Sequence, residues 1–262
     1  MRRIPPTAIL CVVAVLNQAC AGPVVTPAVD ASAYEVLPAL RDLMDAVTFH
    51  HGFDQESLLP DMAVGEWEPQ KLGEPKLAAG LVGKALVAGT GSLLFKDTRN
   101  WTLTTRGALC LWVSPVEWNQ EEAGNTNFVL SHSSAFYVER QGPLRKPDGA
   151  WARLESLLVG LQRGPKGSAY AGCAGWKPGE WHLIAVNWSW PQLALSVDGG
   201  AFNATELPGK PDPDLFGGLI LGSNGGDPTL LDEFFCFNRP LSAAEVKALH
   251  QAMRPKAASE GE

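Results

Sequence analysis

The chain has 262 residues, of which 45% are hydrophobic, 27 are glycine and 20 are proline. This composition supplies enough apolar groups for one large core, which argues against disorder, and its many turn-forming residues favour short strands over a helical bundle. The formal net charge of −7 gives no electrostatic attraction to phosphate, so nucleic acid is not expected as a partner.

Residues 1–21 predict a signal peptide, because two arginines precede an apolar run from Ala8 to Leu16 and small residues follow it. The run is too short to span a bilayer as a helix. Cys20 leaves a lipoprotein signal open as an alternative, although Asn17 stands three residues before it, where that signal prefers leucine. We expect an exported protein that is secreted, periplasmic or held at the cell surface, with no transmembrane segment in the mature chain.

Residues 22–48 predict a spacer followed by an amphipathic helix. The spacer, residues 22–33, is rich in proline and alanine and has no periodicity. From Tyr34 to Val47 apolar residues recur at helical spacing, and Pro38 falls in the first turn, where proline is tolerated.

After this helix, the spacing at which apolar residues recur changes from about 3.6 to about 2 residues, which predicts strands. Short alternating runs bounded by Gly, Pro, Asn or Asp are ALVAGTGSLLF, GALCLWVSP, NFVLSHSSAFYVER, ARLESLLVGLQRG, EWHLIAVNW, QLALSVDGG, GGLILGS and LDEFFCFN. Both faces of EWHLIAVNW are apolar, as in a strand covered on both sides. We therefore predict an all-β fold, a two-sheet antiparallel sandwich that occupies residues 49–253 as one domain.

The last predicted element is a short C-terminal helix. Ser242 as N-cap and Glu245 three residues later form a capping box, and Leu241 can pack on Val246 as a hydrophobic staple. The tail, residues 254–262, is polar and expected to be flexible.

The cysteines do not predict a disulfide framework or a zinc site. Without the leader, Cys110, Cys173 and Cys236 remain, and none belongs to a Cys-x-x-Cys pair. Buried thiols are the favoured interpretation of Cys110 and Cys236, and whether these two pair is left open.

Several motifs in order resemble one family. From Phe49 to His250 the chain shows FHHGFDQES, a Gly-rich stretch, an early Trp-bearing strand, a Trp-His strand, LALSVDGG, LILGS and LDEFFCFNRPLSAAEV. This order resembles the laminin-G-like group of the concanavalin A-like lectin and glucanase jelly rolls. The resemblance implies a jelly-roll sandwich, to which the helical spacing and the capping box add a short helix at each end.

The resemblance also implies a structural calcium ion held by Asp232 of the closing strand together with Asp54 of FDQES. Alternation would place Asp232, Phe234 and Cys236 on one face, where a buried carboxylate needs partners. Two other interpretations of Asp232 stay open, namely acceptance of hydrogen bonds from backbone N–H groups without a metal and, less favoured, catalysis.

Catalysis is not predicted. Glycoside hydrolases need two carboxylates that flank the scissile bond, and the predicted strands carry isolated acids such as Glu139, Glu155 and Glu180. The Glu-x-Asp-x-x-Glu pattern of glucanases and the common nucleophile motifs are absent from the sequence. We therefore assign no catalytic residues.

Aromatic residues suggest a ligand-binding surface instead. The chain has nine tryptophans, and sugar-binding faces use exposed flat rings. Alternation predicts that Trp151, Arg153 and Glu155 share one strand face, where they would either read the hydroxyl pattern of a sugar or form an ordinary solvated surface. Trp190, beside a hairpin, is a second candidate.

The sequence thus predicts an exported, non-catalytic module that binds carbohydrate or an extracellular protein. A structural or adhesion domain without a sugar site is the alternative. A glycoside hydrolase with dispersed carboxylates is the less favoured third hypothesis.

Overall fold

The computed structural model describes residues 38–101, 105–118 and 124–253. The predicted signal peptide with Cys20, the spacer at 22–33 and the tail at 254–262 lie outside these residues. No helix among the described residues is long and apolar enough to cross a membrane.

Two antiparallel sheets form a sandwich, as predicted. The large sheet has nine strands: β1 (Val47–His51), β2 (Met62–Ala63), β4 (Lys76–Ala79), β5 (Lys84–Ala88), β7 (Arg106–Pro115), β14 (His182–Ser189), β15 (Gln192–Val197), β16 (Asn203–Glu206) and β18 (Thr229–Phe237). The second sheet has seven strands: β3 (Gln70–Gly73), β6 (Gly91–Phe95), β8 (Asn125–Ser131), β9 (Phe136–Gln141), β12 (Ser156–Leu161), β13 (Gly167–Gly172) and β17 (Leu219–Ser223). A separate hairpin of β10 (Leu144–Arg145) and β11 (Trp151–Arg153) interrupts the connection from β9 to β12.

The large sheet is covered on both faces. On β14, Ile184 and Val186 pack in the core between the sheets, whereas Leu183 and Ala185 pack in a second apolar cluster on the outer face. A strand with apolar side chains on both faces is expected to be covered on both sides, and this prediction for EWHLIAVNW is confirmed.

The cover of the outer face is helical. It consists of α1 (Pro38–Arg41), a 3₁₀ turn and the C-terminal helix α2 (Ala243–Met253). The predicted capping box is present, because Ser242 N–H donates to Glu245 Oε2 at 2.7 Å and Glu245 N–H donates to Ser242 Oγ at 3.2 Å. Leu241 and Val246 lie in the same outer-face cluster, as a hydrophobic staple requires.

The N-terminal helix is shorter than predicted within the described residues. After α1 the chain makes a turn and a 3₁₀ helix at Met44–Ala46, and β1 begins at Val47. Val47 pairs with Phe237 of the closing strand. Strand pairing therefore includes a residue that helical spacing had assigned to the helix. Further 3₁₀ helices lie at Thr98–Asn100 and Pro213–Leu215.

A β-bulge in β18 changes the predicted faces of the closing strand. Its register on β7 shifts between Asp232 and Phe235, and Glu233 adopts a left-handed φ of 48°. Asp232 pairs with Trp112, which faces the outer cluster, whereas Phe234 packs in the core between the sheets. The prediction that Asp232 shares a face with Phe234 is therefore wrong, because alternation cannot foresee the inserted residue.

The bulge does not bring the cysteines together. Cys110 packs in the outer-face cluster and Cys236 in the core between the sheets. All three cysteines of the described residues are free and buried, which for Cys110 and Cys236 agrees with their interpretation as small apolar side chains.

Candidate functional site

Trp190, one of the two tryptophans predicted to contact a ligand, is a core residue. It is 7% exposed and stacks on Phe216, with 6.2 Å between ring centroids and 12° between ring planes. The turn that carries it, between β14 and β15, packs against the chain that leads to β17. The prediction that Trp190 offers an open ring is therefore wrong.

Trp151 is exposed, at 40% of its surface. It lies on the β10–β11 hairpin, and the guanidinium carbon of Arg145 is 4.0 Å from its ring centroid. The hairpin extends from the rim of the seven-stranded sheet and belongs to neither main sheet.

Glu155 does not share a surface with Trp151. The strand β11 ends at Arg153, and Glu155 turns inward and is buried. Its Oε1 accepts a hydrogen bond of 2.6 Å from Nε of Arg140, a fully buried residue whose guanidinium also contacts Asp227. The prediction of one face for Trp151, Arg153 and Glu155 is wrong, since the partner that fixes Glu155 lies on β9.

The charge of Arg153 acts on Glu139 of β9. Phe136 and Val138 of β9 pack in the core between the sheets, so alternation points Tyr137 and Glu139 to the opposite, outer face of the seven-stranded sheet. Glu139 is 6% exposed and accepts a 2.8 Å hydrogen bond from Nε2 of Gln141. Arg153 is near enough for its positive charge to oppose the burial that raises the pKa of Glu139.

Further polar and aromatic groups lie beside Glu139 on the same face. Across β12, Tyr137 aligns with Gly160 and then Ser168, and Glu139 aligns with Leu158 and then Tyr170. Cross-strand neighbours share a face. We call this surface the outer-face strip and define it as Tyr137, Glu139, Gln141, Arg153, Ser168 and Tyr170.

Two contacts fix the aromatic end of the strip. A Cβ on Gly160 would lie 2.6 Å from the Tyr137 hydroxyl oxygen, so the phenol extends across β12 only because that position is glycine. The Ser168 hydroxyl donates a 2.8 Å hydrogen bond to the hydroxyl of Tyr170, whose side chain is 50% exposed. The strip therefore combines one open ring with hydroxyl, amide and carboxylate groups.

The Tyr137 hydroxyl stays neutral to a higher pH than an exposed tyrosine. Burial, with the nearby Glu139 and Tyr170, raises the pKa of Tyr137 to about 12. At neutral pH the phenol can both donate and accept hydrogen bonds.

Sequence reasoning missed Tyr137, Ser168 and Tyr170. Strand β13 reads GSAYAG, with too few branched or large residues to predict a strand. The usable signal was the polar or aromatic residue at alternate positions of both β9 and β13, which predicts one apolar face and one open face.

The two aspartates predicted for calcium both hold the turn between β4 and β5. Asp232 is fully buried, and its Oδ2 accepts hydrogen bonds from the N–H groups of Leu81 at 2.7 Å and Val82 at 3.1 Å. Asp54 Oδ1 accepts one of 2.8 Å from the N–H of Lys84. Both carboxylates thus serve as backbone acceptors.

Calcium takes six to eight oxygen ligands, whereas Asp232 Oδ2 and Asp54 Oδ1 already accept backbone hydrogen bonds. The described residues contain no group of three or more His, Cys, Asp or Glu arranged to hold a metal. Burial raises the pKa of Asp232 to about 8, although hydrogen bonds from the N–H groups of Val82, Glu233 and Leu81 oppose the shift. The geometry favours the backbone-acceptor interpretation of Asp232, and the calcium hypothesis stays a prediction.

The strip is suited to recognising hydroxyl groups. Glu139 is its single carboxylate, whereas the usual glycoside hydrolysis needs two that face each other across the bond. Glu155, the acid nearest to Arg153 in sequence, accepts a hydrogen bond from the buried Arg140. The strip therefore lacks the pair that this chemistry requires.

Comparison with known proteins agrees with the fold. A model of the concanavalin A-like lectin/glucanases superfamily matches residues 88–247. A search of curated protein sequences finds no match.

Among solved structures, the binding domain of botulinum neurotoxin DC in complex with rat synaptotagmin II is similar, with a TM-score of 0.61 and 11% identity over 81% of this chain and 53% of the toxin chain. Botulinum neurotoxin type C, whose cell entry depends upon interaction with two ganglioside molecules, has a TM-score of 0.61 and 10% identity over 82% of this chain and 53% of its own. The chain spans about half the length of these toxin chains.

Domain 4 of AbnA, a GH43 extracellular arabinanase from Geobacillus stearothermophilus, in complex with arabinotriose, has a TM-score of 0.55 and 19% identity over 79% of this chain and 98% of its own. At these identities the likeness shows the fold alone. The family model, by contrast, covers more than half of the chain, and the chain belongs to the concanavalin A-like lectin/glucanase superfamily.

Proposed function

We propose that this protein is an exported, non-catalytic module that binds carbohydrate through the outer-face strip. The observation that supports it best is the half-exposed ring of Tyr170 in register with the buried carboxylate of Glu139 on an outer sheet face. Aromatic rings stack on the C–H faces of sugars, and a few placed polar groups fix orientation.

The polar groups of the strip are held in place before a ligand arrives. Gln141 donates to Glu139, and Ser168 donates to Tyr170. The backbone of Tyr170 is held as well, because Asn203 Nδ2 on β16 donates to its carbonyl oxygen at 2.7 Å. Such preorganisation reduces the ordering entropy that binding costs.

Solved neighbours support a binding role. Domain 4 of AbnA was solved with arabinotriose, and the type C neurotoxin interacts with gangliosides. Binding, rather than hydrolysis, also agrees with the single carboxylate of the strip.

A protein partner is the second candidate. The β10–β11 hairpin and the residue that follows it expose three large apolar side chains, Leu144, Trp151 and Leu154. Exposed apolar groups clustered in this way are typical of protein interfaces. A neighbouring toxin domain was solved with synaptotagmin II.

Affinity gel electrophoresis tests the proposal with linear arabinan, galactan, xylan, hydroxyethyl cellulose and dextran in the gel. At least one polysaccharide should retard the protein, and Tyr170→Ala should weaken that retention about tenfold through loss of the stacking ring. Val64→Ala, which changes an exposed apolar residue near β2, is the matched control and should leave retention unchanged.

Two outcomes would contradict the proposal. If none of the five polysaccharides retards the protein, the carbohydrate function fails. If retention survives Tyr170→Ala and is lost in Trp151→Ala, the ligand binds the hairpin and the strip is not the site.

A further inference from the structure

We infer that the free edge of β4 binds an extended acidic segment of a protein partner, which adds to the large sheet as a further strand. Three features meet at this edge: unpaired main-chain groups, a cavity and lysine side chains. The cavity is lined in part by β3, and β3 and β13 of the outer-face strip are opposite edges of the seven-stranded sheet. The inference therefore concerns a second surface and does not rest on the carbohydrate function.

The free edge follows from the hydrogen bonds between β4 and β5. Among the strands of the described residues, β4 pairs with β5 alone. The N–H of Gly80 donates to the carbonyl oxygen of Gly83 at 3.1 Å, and along an antiparallel pair hydrogen-bonded and non-hydrogen-bonded residue pairs alternate. The N–H and C=O groups of Leu77 and Ala79 therefore point away from β5. Within the described part of the chain, no turn or loop main chain bonds to them.

A cavity of about 540 Å³ opens beside this edge, a volume within the range of ligand-binding clefts. Three consecutive residues of β4, Leu77, Ala78 and Ala79, line it. Alternate side chains of a strand point to opposite faces, so a cavity that touches three residues in a row lies along the strand edge. A ligand can reach it, because Ala79 is exposed. The other lining residues are Glu56, Leu58, Lys71, Pro75 and Lys84.

The charges around the cavity favour an acidic ligand. Lys71 on β3 is exposed, and its ammonium group has no ion pair with any described residue. Lys84 Nζ lies 3.2 Å from Oε1 of Glu56, whose side chain is 90% exposed. Ion pairs this exposed contribute little to stability, so a ligand carboxylate can replace Glu56 at small cost. Two cations and one acid thus line the cavity of a chain whose formal net charge is −7.

An extended peptide suits this edge better than a sugar or a small ion. Its main chain supplies N–H and C=O groups at the spacing of a strand, and its side chains project at alternate positions. The described lining of the cavity has no aromatic ring on which a sugar could stack. Lysines at a free edge disfavour pairing with another basic strand, whereas carboxylates of an acidic strand would be attracted to them.

The edge is held in position before a partner binds. The carboxylate of Asp232 accepts hydrogen bonds from the N–H groups of Leu81 and Val82 in the turn that ends β4. Leu77 also packs against the core between the sheets. Such preorganisation reduces the ordering entropy that binding costs.

The experiment is an NMR titration of the isotope-labelled protein with a blocked hexapeptide of alternating valine and glutamate, at about 0.15 M salt. The peptide should shift the amide signals of Leu77 and Ala79 and slow their hydrogen exchange, because their N–H groups gain acceptors. A peptide with lysine in place of glutamate should bind about tenfold more weakly. An N-methylated glutamate peptide, which lacks main-chain donors, should show a similar loss.

Matched variants separate main-chain pairing from general charge. Ala79→Pro removes an N–H that β5 does not use and should weaken binding of the glutamate peptide about tenfold, whereas Ala79→Ser keeps the N–H and should bind normally. Lys71→Glu should lower the ratio of glutamate-peptide to lysine-peptide affinity about tenfold. Lys210→Glu changes the net charge equally at an exposed residue outside the cavity lining and should leave the ratio unchanged.

Thermal melting shows which variants are folded. If Ala79→Pro is not, the N-methylated peptide tests the same main-chain bonds on the unaltered protein.

Three results would overturn the inference. The first is a glutamate peptide that leaves the signals of Leu77 and Ala79 unchanged. The second is equal binding of the glutamate peptide and its N-methylated form. The third is slow exchange of both amides without peptide, since the chain itself or a second copy would then cover the edge. In each case carbohydrate binding by the outer-face strip would stand, because Tyr170→Ala tests it on the other surface.

Discussion

The outer faces of the two sheets differ in what covers them. Helix α2 and residues 38–47 cover the large sheet, where Trp112, Leu183, Phe235 and Leu249 join one buried apolar cluster. The seven-stranded sheet instead turns Glu139, Ser168 and Tyr170 outward at corresponding positions of its strands.

The difference is already present in the alternation of single strands. On β14 both sets of alternate residues are apolar, which fits a strand covered on two sides. On β9 the apolar Phe136 and Val138 alternate with Tyr137 and Glu139. Packing explains the first pattern fully, whereas the polar set on β9 does not belong to the core between the sheets.

The largest expected effect is a difference in the free energy of unfolding between two variants, each of which removes one aromatic ring. Trp112→Ala on the covered face should lower the free energy of unfolding by about 3–5 kcal/mol, because it empties a fully packed site. Tyr170→Ala on the open face should lower it by less than about 0.5 kcal/mol. Urea denaturation measures both, and comparable losses would show that the open face also serves packing.

Much of the fold could be predicted because its signals are local. Strands β7, β14 and β18 are short apolar runs bounded by turn residues, and the Ser242 and Glu245 capping box lies within one helical turn. The faces of β18 could not be predicted, because the bulge at Glu233 depends on pairing with β7 across the sheet. Alternate residues of a strand share a face only where no bulge interrupts its pairing with the neighbouring strand.

The site was harder to predict because its members come from distant strands. Trp151, Arg153 and Glu155 follow a period of 2 in sequence, yet the ladder ends at Arg153 and a buried arginine on β9 holds Glu155. Which acid the charge of Arg153 acts on is decided by tertiary packing. The sequence could indicate an acid, a cation and a ring, but not that the acid would be Glu139.

A second test on the covered side uses the pH dependence of stability. The pKa of Asp232 in the fold, about 8, lies above its ordinary value of 3.8. The folded state therefore keeps a proton that the unfolded state loses, so this group makes stability fall as pH rises from 3.8 to about 8. The melting temperature of the protein should fall relative to that of Asp232→Asn as pH rises from about 4 to about 8, and a constant difference would contradict the shift.

A smaller effect is expected from the cap of the helix that covers the large sheet. Ser242→Ala removes the acceptor for the N–H of Glu245 and should lower the free energy of unfolding by about 1 kcal/mol. Ser242→Asp, which keeps an acceptor oxygen at the cap, should restore most of the loss. A loss that Ser242→Asp does not restore would mean that the hydroxyl has another role.

The smallest effect concerns calcium, for which we expect no change. A ligand that binds the folded state alone raises the melting temperature, so calcium at Asp54 and Asp232 would make melting sensitive to a chelator. The structure gives these carboxylates the N–H groups of Leu81, Val82 and Lys84 as partners. Melting with EDTA and with millimolar calcium should therefore coincide, and a calcium-dependent rise that Asp54→Asn abolishes would show that the β4–β5 turn rearranges around an ion.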